Sequence, residues 1–587
     1  MTPVTFEREG FELVDAVEPH DLDERASVGV AKPDELSPRR QLSQRKVVVA
    51  AGCVVGAIVL LILFDLASLH IITISPDGST VLLEGQALSG GNLTLHGWLL
   101  ALDSFWTIDA PFYAVGVWIF GVTPLLLNLV PAAIAVLVVI VALRIAADGR
   151  EGDARVAAIV AVLALLALPG PDLTDYLLQG PWHIATALCC LLGFLGASRH
   201  RFGWPWALAV AMLAAGLLGD LMILVIGVVP VMSAGLVYMR RMRSWRAGLP
   251  AFSAGVAGLV AAIAVRELAD LVGTFSLTSR NLALKASLIS ANFRHVPSRF
   301  AALLGVGSMK LKGISNGPLA LQVFHGVGLA IVVAVVFAAT FGLIRGLAGP
   351  PGTVGKREEH RVDDFLVLGF IADIGFFAFA SQSGNLEFVK YLTPGVVFAA
   401  VLVGRRAGGL VPVLQARGAL RVCAVASLSI CVAFAVDFGL QFGRPSPPRP
   451  AYALAQFLRA HDLRNGVGDY WSSSLVTVEA DDHVTVRPVT TLSGKIVQFD
   501  RQLDTDWYRG ESLSFLVYDT ARPWHDVNAA SAVATFGKPS QVFSVDTYRV
   551  LTWRSGIRIT GSLPSTGSPL SVSMPVPHRA IARAGVQ

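Results

Sequence analysis

Four acids stand in one polar stretch of the chain: Asp77, Glu84, Asp103 and Asp109. No Lys or Arg lies between residues 47 and 143, so nothing local neutralises them. A second polar stretch, 273–320, is the reverse, with Arg280, Lys285, Arg294, His295, Arg299, Lys310 and Lys312. A carboxylate can take a proton from an acceptor hydroxyl as general base. Arg and Lys can stabilise a phosphate leaving group. Acids facing bases are therefore equipment for sugar transfer from a polyprenyl-phosphate sugar. Trp98, Trp106 and Tyr113 lie among the acids. They are candidates for stacking on an acceptor or donor sugar, or else members of a membrane-interface belt.

These residues must be held by a membrane-embedded scaffold. The 587 residues are 53% hydrophobic and only 15% charged, with mean hydropathy +0.60. A soluble domain carries about 25% charged residues. The long apolar runs predict a polytopic α-helical membrane protein and exclude a transmembrane β-barrel, whose strands would alternate. Eleven spans are expected, near 47–66, 124–143, 155–169, 183–198, 203–218, 221–238, 249–272, 321–344, 364–380, 386–404 and 419–440. Asp109-Ala-Pro111 and Thr123-Pro124 read as helix starts, which puts a short helix on the membrane surface at 110–121. Gly219-Asp220 is the turn between two spans. Asp65, and Arg266 with Glu267 and Asp270, fall near span ends; Arg266 and Glu267 read as a neighbouring charge pair.

Charge sets the orientation. With a cytoplasmic N-terminus, 21 Lys and Arg flank the spans on the inside and seven lie outside, as the positive-inside rule requires. Residues 1–46 are expected to be a disordered cytoplasmic tail, and 47–440 a transmembrane domain with outer loops 68–109 and 273–320. Arg444-Pro-Ser-Pro-Pro448 is a stiff linker. Beyond it, 445–556 is expected to be an extracytoplasmic α/β domain, with a helix at 451–461 and β-rich runs at 474–480, 483–489, 495–499, 514–519 and 541–553. Asp481-Asp482 suggests a hairpin between the first two runs. Residues 557–587 are Ser-, Pro-, Thr- and Gly-rich and read as a flexible tail. Cys53, Cys189, Cys190, Cys423 and Cys431 lie in apolar runs and lack metal spacing.

The layout resembles the GT-C class of membrane glycosyltransferases. In that class the first outer loop opens with an acidic motif, often Asp-Glu, followed by a short helix and a small-residue segment. Here Asp77-Gly78-Ser79 follows the first span, and Ser89-Gly90-Gly91-Asn92 stands 12–15 residues on; Gly78 occupies the place where Glu is common. Lys390-Tyr391-Leu392-Thr393-Pro394 is similar to the Arg-Tyr-Leu-x-Pro segment that enters a late span, with Lys for Arg. Lys meets a phosphate as a point charge rather than a fork; a local pair with Glu387 is the plainer alternative. The resemblance implies a polyprenyl-phosphate sugar as donor and an envelope glycan or protein as acceptor. Asp77 would be the base, with Asp103 and Glu84 in reserve. Arg294, Arg299, Lys390 and Tyr391 would hold the donor phosphate. Residues 93–114, 219–231 and 466–478 also resemble actinobacterial membrane proteins of this general type, which implies a plasma-membrane and cell-envelope setting.

No cofactor is expected; a divalent metal is left open, because no His/Asp set has ligand spacing. No nucleic-acid partner is expected, since most arginines flank apolar runs. Gly355-Lys356 lacks the strand context of a phosphate loop. Asp469-Tyr470-Trp471 and Trp507-Tyr508 are candidates for glycan contact or for the core of a small domain. Two other readings stand beside the transferase: a non-catalytic envelope scaffold that binds glycan or protein, and a transporter of lipids or small molecules. Scarce mid-membrane charge and absent repeats speak against the last.

Overall fold

The computed structural model describes residues 38–71, 75–278, 286–307, 318–348, 361–380, 386–509, 512–523 and 526–561. The chain divides into residues 1–56 and 57–587. The expected tail 1–46 lies almost wholly outside the described residues, as do Arg280, Lys285, Lys310, Lys312, Gly355, Lys356 and most of 557–587.

The helices follow the apolar runs. α1 (Pro38–Ile71) is succeeded by α2 (Pro76–Ser89), the short strand β1 (Trp98–Leu100) and α3 (Ala110–Phe120). Then come α4 (Leu126–Ala146), α5 (Gly152–Leu166), α6 (Pro171–Leu178), α7 (Ile184–Ala197) and α8 (Trp204–Gly219). One turn of π-helix, Leu224–Val228, leads into α9 (Val229–Met242), and α10 (Trp245–Val272), β2 (Ser276–Leu277) and α11 (Ile289–Leu303) follow. α12 (Leu319–Ala348), α13 (Arg361–Phe379), α14 (Thr393–Ala416) and α15 (Leu420–Gln441) complete the bundle. Proline opens α2, α6, α8 and α14 within their first two positions, where its missing N–H costs nothing.

The chain is a polytopic α-helical membrane protein. A helix stands at each of the eleven segments read as spans, but they are unequal. Seven are long and apolar enough to cross a bilayer, or eight if α5 and α6, bent by 86°, act as one. α3, α7 and α8 are shorter apolar helices. α3 covers the residues where a short helix is expected, 110–121. In α13, Asp363, Asp364 and Asp373 interrupt the apolar run. The first two are answered by Arg405 and, at 2.5 Å, Arg241. Arg144, Asp148 and Arg199 tie α4 to the end of α7 at that same end of the bundle, with Nη–Oδ distances of 2.7 and 3.1 Å. Arg266 pairs with Asp270 one turn away, at 3.1 Å, rather than with its neighbour Glu267. The reason is helical geometry: adjacent residues point apart and i,i+4 residues meet.

The region after α15 is α/β. α16 (Pro450–Ala460), β3 (Asn465–Gly468), α17 (Ser474–Glu479), β4 (Thr485–Leu492), β5 (Lys495–Gln498), β6 (Leu503–Asp504), β7 (Leu513–Asp519), α18 (Ala529–Phe536), β8 (Gln541–Val545) and β9 (Tyr548–Ile557) follow in order. Six strands form one sheet in the order β5-β4-β3-β7-β9-β8, with β3 parallel to both β4 and β7. The hairpin expected at 474–489 is absent. Parallel neighbours need a crossover, so the Val-rich run 474–479 becomes α17, with Val476 and Val478 fully buried. Asp481 and Asp482 do turn the chain, both with positive φ, but from a helix into a strand. The run 541–553 splits into two strands around Asp546 (φ 48°).

This region has apolar clusters of its own, one around Leu454, Val486 and Phe515 and another around Val467, Leu516 and Trp553. It is nonetheless sewn into the polar segment between α1 and α3. β6 pairs antiparallel with β1, which pairs parallel with β2, in a three-stranded sheet drawn from three distant parts of the sequence.

Candidate functional site

Asp77 sits in the first turn of α2. Ser75 caps that helix by accepting the Asp77 N–H at 3.2 Å, and Pro76 opens it. The side chain is half-buried. Its Oδ1 accepts from the hydroxyl of Tyr470, which also meets the side-chain amide of Gln502. Tyr470 is itself fixed. Its ring stacks on Phe499 at 5.1 Å. The preceding Asp469 accepts the Trp471 and Ser472 N–H groups at 2.9 and 3.1 Å, the Ser472 hydroxyl at 2.9 Å and the Asp519 N–H at 3.1 Å. Burial pushes the Tyr470 hydroxyl well above the usual tyrosine range, and the Asp77 charge adds to this. It therefore stays protonated and serves as a donor. Two further bonds hold the same seam: Thr80 to Ser474 at 3.1 Å and Gln86 to Asp482 at 2.8 Å.

Gly78 is explained by the same corner. A Cβ there would stand 2.8 Å from the Gly180 carbonyl oxygen. The second acid of the Asp-Glu pattern has no room in this chain. Ser89-Gly90-Gly91-Asn92 is the exit of α2. Gly91 takes φ 97°, and Asn92 brackets the His96 backbone at 2.7 and 3.0 Å.

Asp103 is half-buried in the loop before α3. Burial raises its pKa; the charges of Lys390 and His183 oppose this, and that of Asp220 reinforces it. Lys390 is half-buried, with its Nζ 5.7 Å from the centres of the Trp182 and Tyr391 rings. The Tyr391 ring also lies 4.6 Å from the His183 ring. His183 precedes α7 with φ 64°. Its Nδ1 is 2.7 Å from Asp220 Oδ2, which also accepts from Thr186 at 2.5 Å, while Asp220 Oδ1 accepts the Met222 N–H at 2.9 Å. Burial would raise the Asp220 pKa, but the His183 charge and these hydrogen bonds hold it below the usual range. Asp77, Asp103, Asp220, His183, Lys390, Tyr391 and Tyr470 thus gather at one end of the bundle, opposite the Arg405–Asp363 end.

Glu84 and Asp109 belong to a different setting. Both are buried, at 1% and 2% exposure, and each keeps one carboxylate oxygen without a hydrogen bond. Burial, with the Asp109 charge, pushes Glu84 well above the carboxylate range. Burial, with the Asp220 charge, pushes Asp109 up to about 8. Tyr113 is buried beside them, its hydroxyl unbonded and its pKa raised by burial and Asp109. Glu84, expected as a reserve base, is thus buried at 1% exposure.

The aromatics expected to stack on sugar are buried. Trp98 is buried edge-on against Trp507 at 5.1 Å. Trp106 is buried against Phe275 at 5.4 Å, its Nε1 donating to the Leu93 carbonyl at 2.9 Å.

The basic candidates separate. Arg294 is exposed on α11. Arg299 is half-buried and acts on Tyr176 and Asp172 of α6. Tyr176 in turn lies 5.2 Å from Trp182, the ring beside Lys390. The side chain of Glu387 lies outside the described residues. Sequence reasoning missed His183 and Tyr470 as members of this cluster. Their single signals, a lone histidine at a span start and an aromatic pair in the last region, do not reveal the partner across the fold.

A groove of about 260 Å³ runs along the three-stranded sheet, lined by His96, Trp98, Thr274, Ser276, Thr505 and Arg509 among others. Asp77 and Asp103 are not in its lining. Among the described residues no group of three His, Cys, Asp or Glu could hold a metal ion.

Two solved folds are similar to this chain. One is ArnT from Cupriavidus metallidurans bound to undecaprenyl phosphate, with TM-score 0.49 and 13% identity over 86% of this chain and 98% of that one. The other is the oligosaccharyltransferase of Archaeoglobus fulgidus, with TM-score 0.42 and 13% identity over 78% of this chain and 68% of that one. No family model and no curated protein matches the sequence. The chemistry is read from this chain's own residues.

Proposed function

We propose that this protein is a membrane glycosyltransferase of the GT-C kind, moving a sugar from a polyprenyl-phosphate donor to an envelope acceptor at the outer face of the plasma membrane. The observation that carries this reading is the meeting of Asp77, Asp103 and Lys390 with a hydrogen-bonded His183–Asp220 pair at one end of an apolar bundle. A lipid-linked donor keeps its chain in the bilayer and its phosphate at that boundary.

Asp77 is the general base. The Tyr470 hydroxyl orients one carboxylate oxygen and leaves the other free for an acceptor hydroxyl. The acceptor oxygen attacks the anomeric carbon as Asp77 takes its proton. The bond from that carbon to the phosphate oxygen breaks, and the lipid phosphate departs with the electron pair. Lys390 stabilises that charge. Burial favours the neutral form of Asp103, which tolerates an anion beside Lys390. Arg299, one ring beyond Trp182, adds positive potential. On this reading the positive-inside count sets the N-terminus in the cytoplasm and 445–556 outside, with membrane lipids around the bundle and a glycan or protein acceptor above it.

The test is glycolipid and glycan profiling of a deletion strain complemented with wild type, Asp77→Asn or Asp103→Asn. Loss of a base is expected to slow transfer about 10²- to 10⁴-fold, so Asp77→Asn leaves the deletion profile unrepaired. Identical profiles in deletion and wild type would favour the scaffold.

A further inference from the structure

The His183 ring holds an unused valence at the centre of this site. Its side chain is 1% exposed. Nδ1 is committed to Asp220 at 2.7 Å, and among the described residues Nε2 has no hydrogen-bond partner. Native buried nitrogens are almost always paired, so an orphan beside a cation is a place for a ligand. Asp220 is in turn saturated by Thr186 and the Met222 N–H, which fixes the ring in one orientation. The Tyr391 ring lies against His183 at 4.6 Å, with Lys390 Nζ 5.7 Å from the same ring. The charged groups acting here are Asp103 from the loop before α3, Asp220 from the turn after α8, and Lys390 before α14.

We propose that His183 Nε2 and Lys390 Nζ together form an oxyanion pair for the phosphate of an isoprenoid lipid, with Asp220 as the positioning charge behind the imidazole. The identity of the ligand rests on the donor reading above; the pair itself rests on the orphan nitrogen. A ring that donates to Asp220 from Nδ1 and to phosphate from Nε2 carries one positive charge. The carboxylate on one side and the phosphate on the other balance it. This supplies a directional bond where Lys390 alone gives only a point charge.

The test uses the full chain in lipid nanodiscs, with intrinsic tryptophan fluorescence, compared with that of a Trp182→Phe variant, as reporter and farnesyl phosphate, farnesol and inorganic phosphate as probes. Wild type is expected to bind farnesyl phosphate far better than farnesol. His183→Asn keeps an amide at the Nδ1 position and tolerates the positive φ, but has nothing at Nε2. It is expected to weaken farnesyl phosphate binding about ten- to a hundred-fold, as loss of a charge-assisted hydrogen bond does, with little change in thermal midpoint. Asp220→Asn keeps the bond and removes the charge; a severalfold loss is expected, and it serves should His183→Asn fail to fold. Inorganic phosphate that competes only when His183 is present supports the pair with free phosphate as its source. If Lys390→Gln abolishes binding while both other variants bind within twofold of wild type, the pair is wrong and the donor reading stands. If wild type binds farnesol as well as farnesyl phosphate, or neither, both fall.

Discussion

Two buried histidine–aspartate pairs sit among the described residues and differ in one respect. His325 on α12 faces Asp437 of α15 through Nε2 at 3.1 Å and the Leu304 carbonyl through Nδ1 at 3.0 Å, with its face stacked on Phe434 at 4.3 Å. Both nitrogens are consumed, and the pair ties α12 and α15 to the end of α11. His183 spends only Nδ1, on Asp220, and leaves Nε2 empty. Similar chemistry thus gives a staple in one place and an open valence in the other. The difference lies in the backbone: the Leu304 carbonyl stands opposite the second nitrogen of His325, and among the described residues none bonds that of His183.

The strongest way to break this comparison is His325→Ala. Removing one partner of a buried pair costs about 3–5 kcal/mol, so a large fall in the thermal midpoint in detergent is expected. His183→Asn, which keeps its one bond, should fall much less. Equal losses would make both pairs staples.

A second contrast lies in the acids around His183. Asp220 is held low by its donors, whereas Asp109, lacking them, is pushed up to about 8. The signs are opposite. The stability linked to Asp109 is full below its unfolded value of 3.8 and is lost as pH rises through about 8. That linked to Asp220 is present above 3.8 and is lost as pH falls through its lowered value. Asp109→Asn is expected to flatten the decline of the thermal midpoint between about pH 4 and pH 8. Superimposable pH curves for wild type and variant would show that Asp109 ionises freely.

Tyr470→Phe is a smaller perturbation. It removes one hydrogen bond to Asp77, worth about 1.5–3 kcal/mol for a charged acceptor. On the transferase reading, a loss of turnover exceeding any loss of stability is expected; equal losses would reduce Tyr470 to packing. Arg294→Ala should do least. The residue is exposed, and surface changes stay within about 0.5 kcal/mol; a marked loss of lipid-phosphate binding would bring α11 into the site after all.

Much of this was legible from the residues alone. Apolar run length and flanking charge located the helices, the short proline-led helix α3 and the α/β region after the linker, because hydrophobic burial and helix initiation are written locally. The β-propensity of the valines in 474–479 misled at α17, since β3 between two parallel strands demands a crossover and tertiary need outweighs a six-residue preference. Sequence also named Asp77, Asp103 and Lys390 as candidates, but not their partners across the fold. It could not show that Glu84, Trp98, Trp106 and Tyr113 are buried, which depends on which helix lies over them.

By itself, the sequence determined that this is a many-helix membrane protein with its acids and bases concentrated in its polar segments. Only the tertiary structure decided which of them meet. Tyr470 reaches Asp77 across 393 residues and His183 reaches Asp220 across 37. Such pairings leave no periodic trace in the chain. They are fixed when packing closes the bundle and the terminal sheet around the same few side chains.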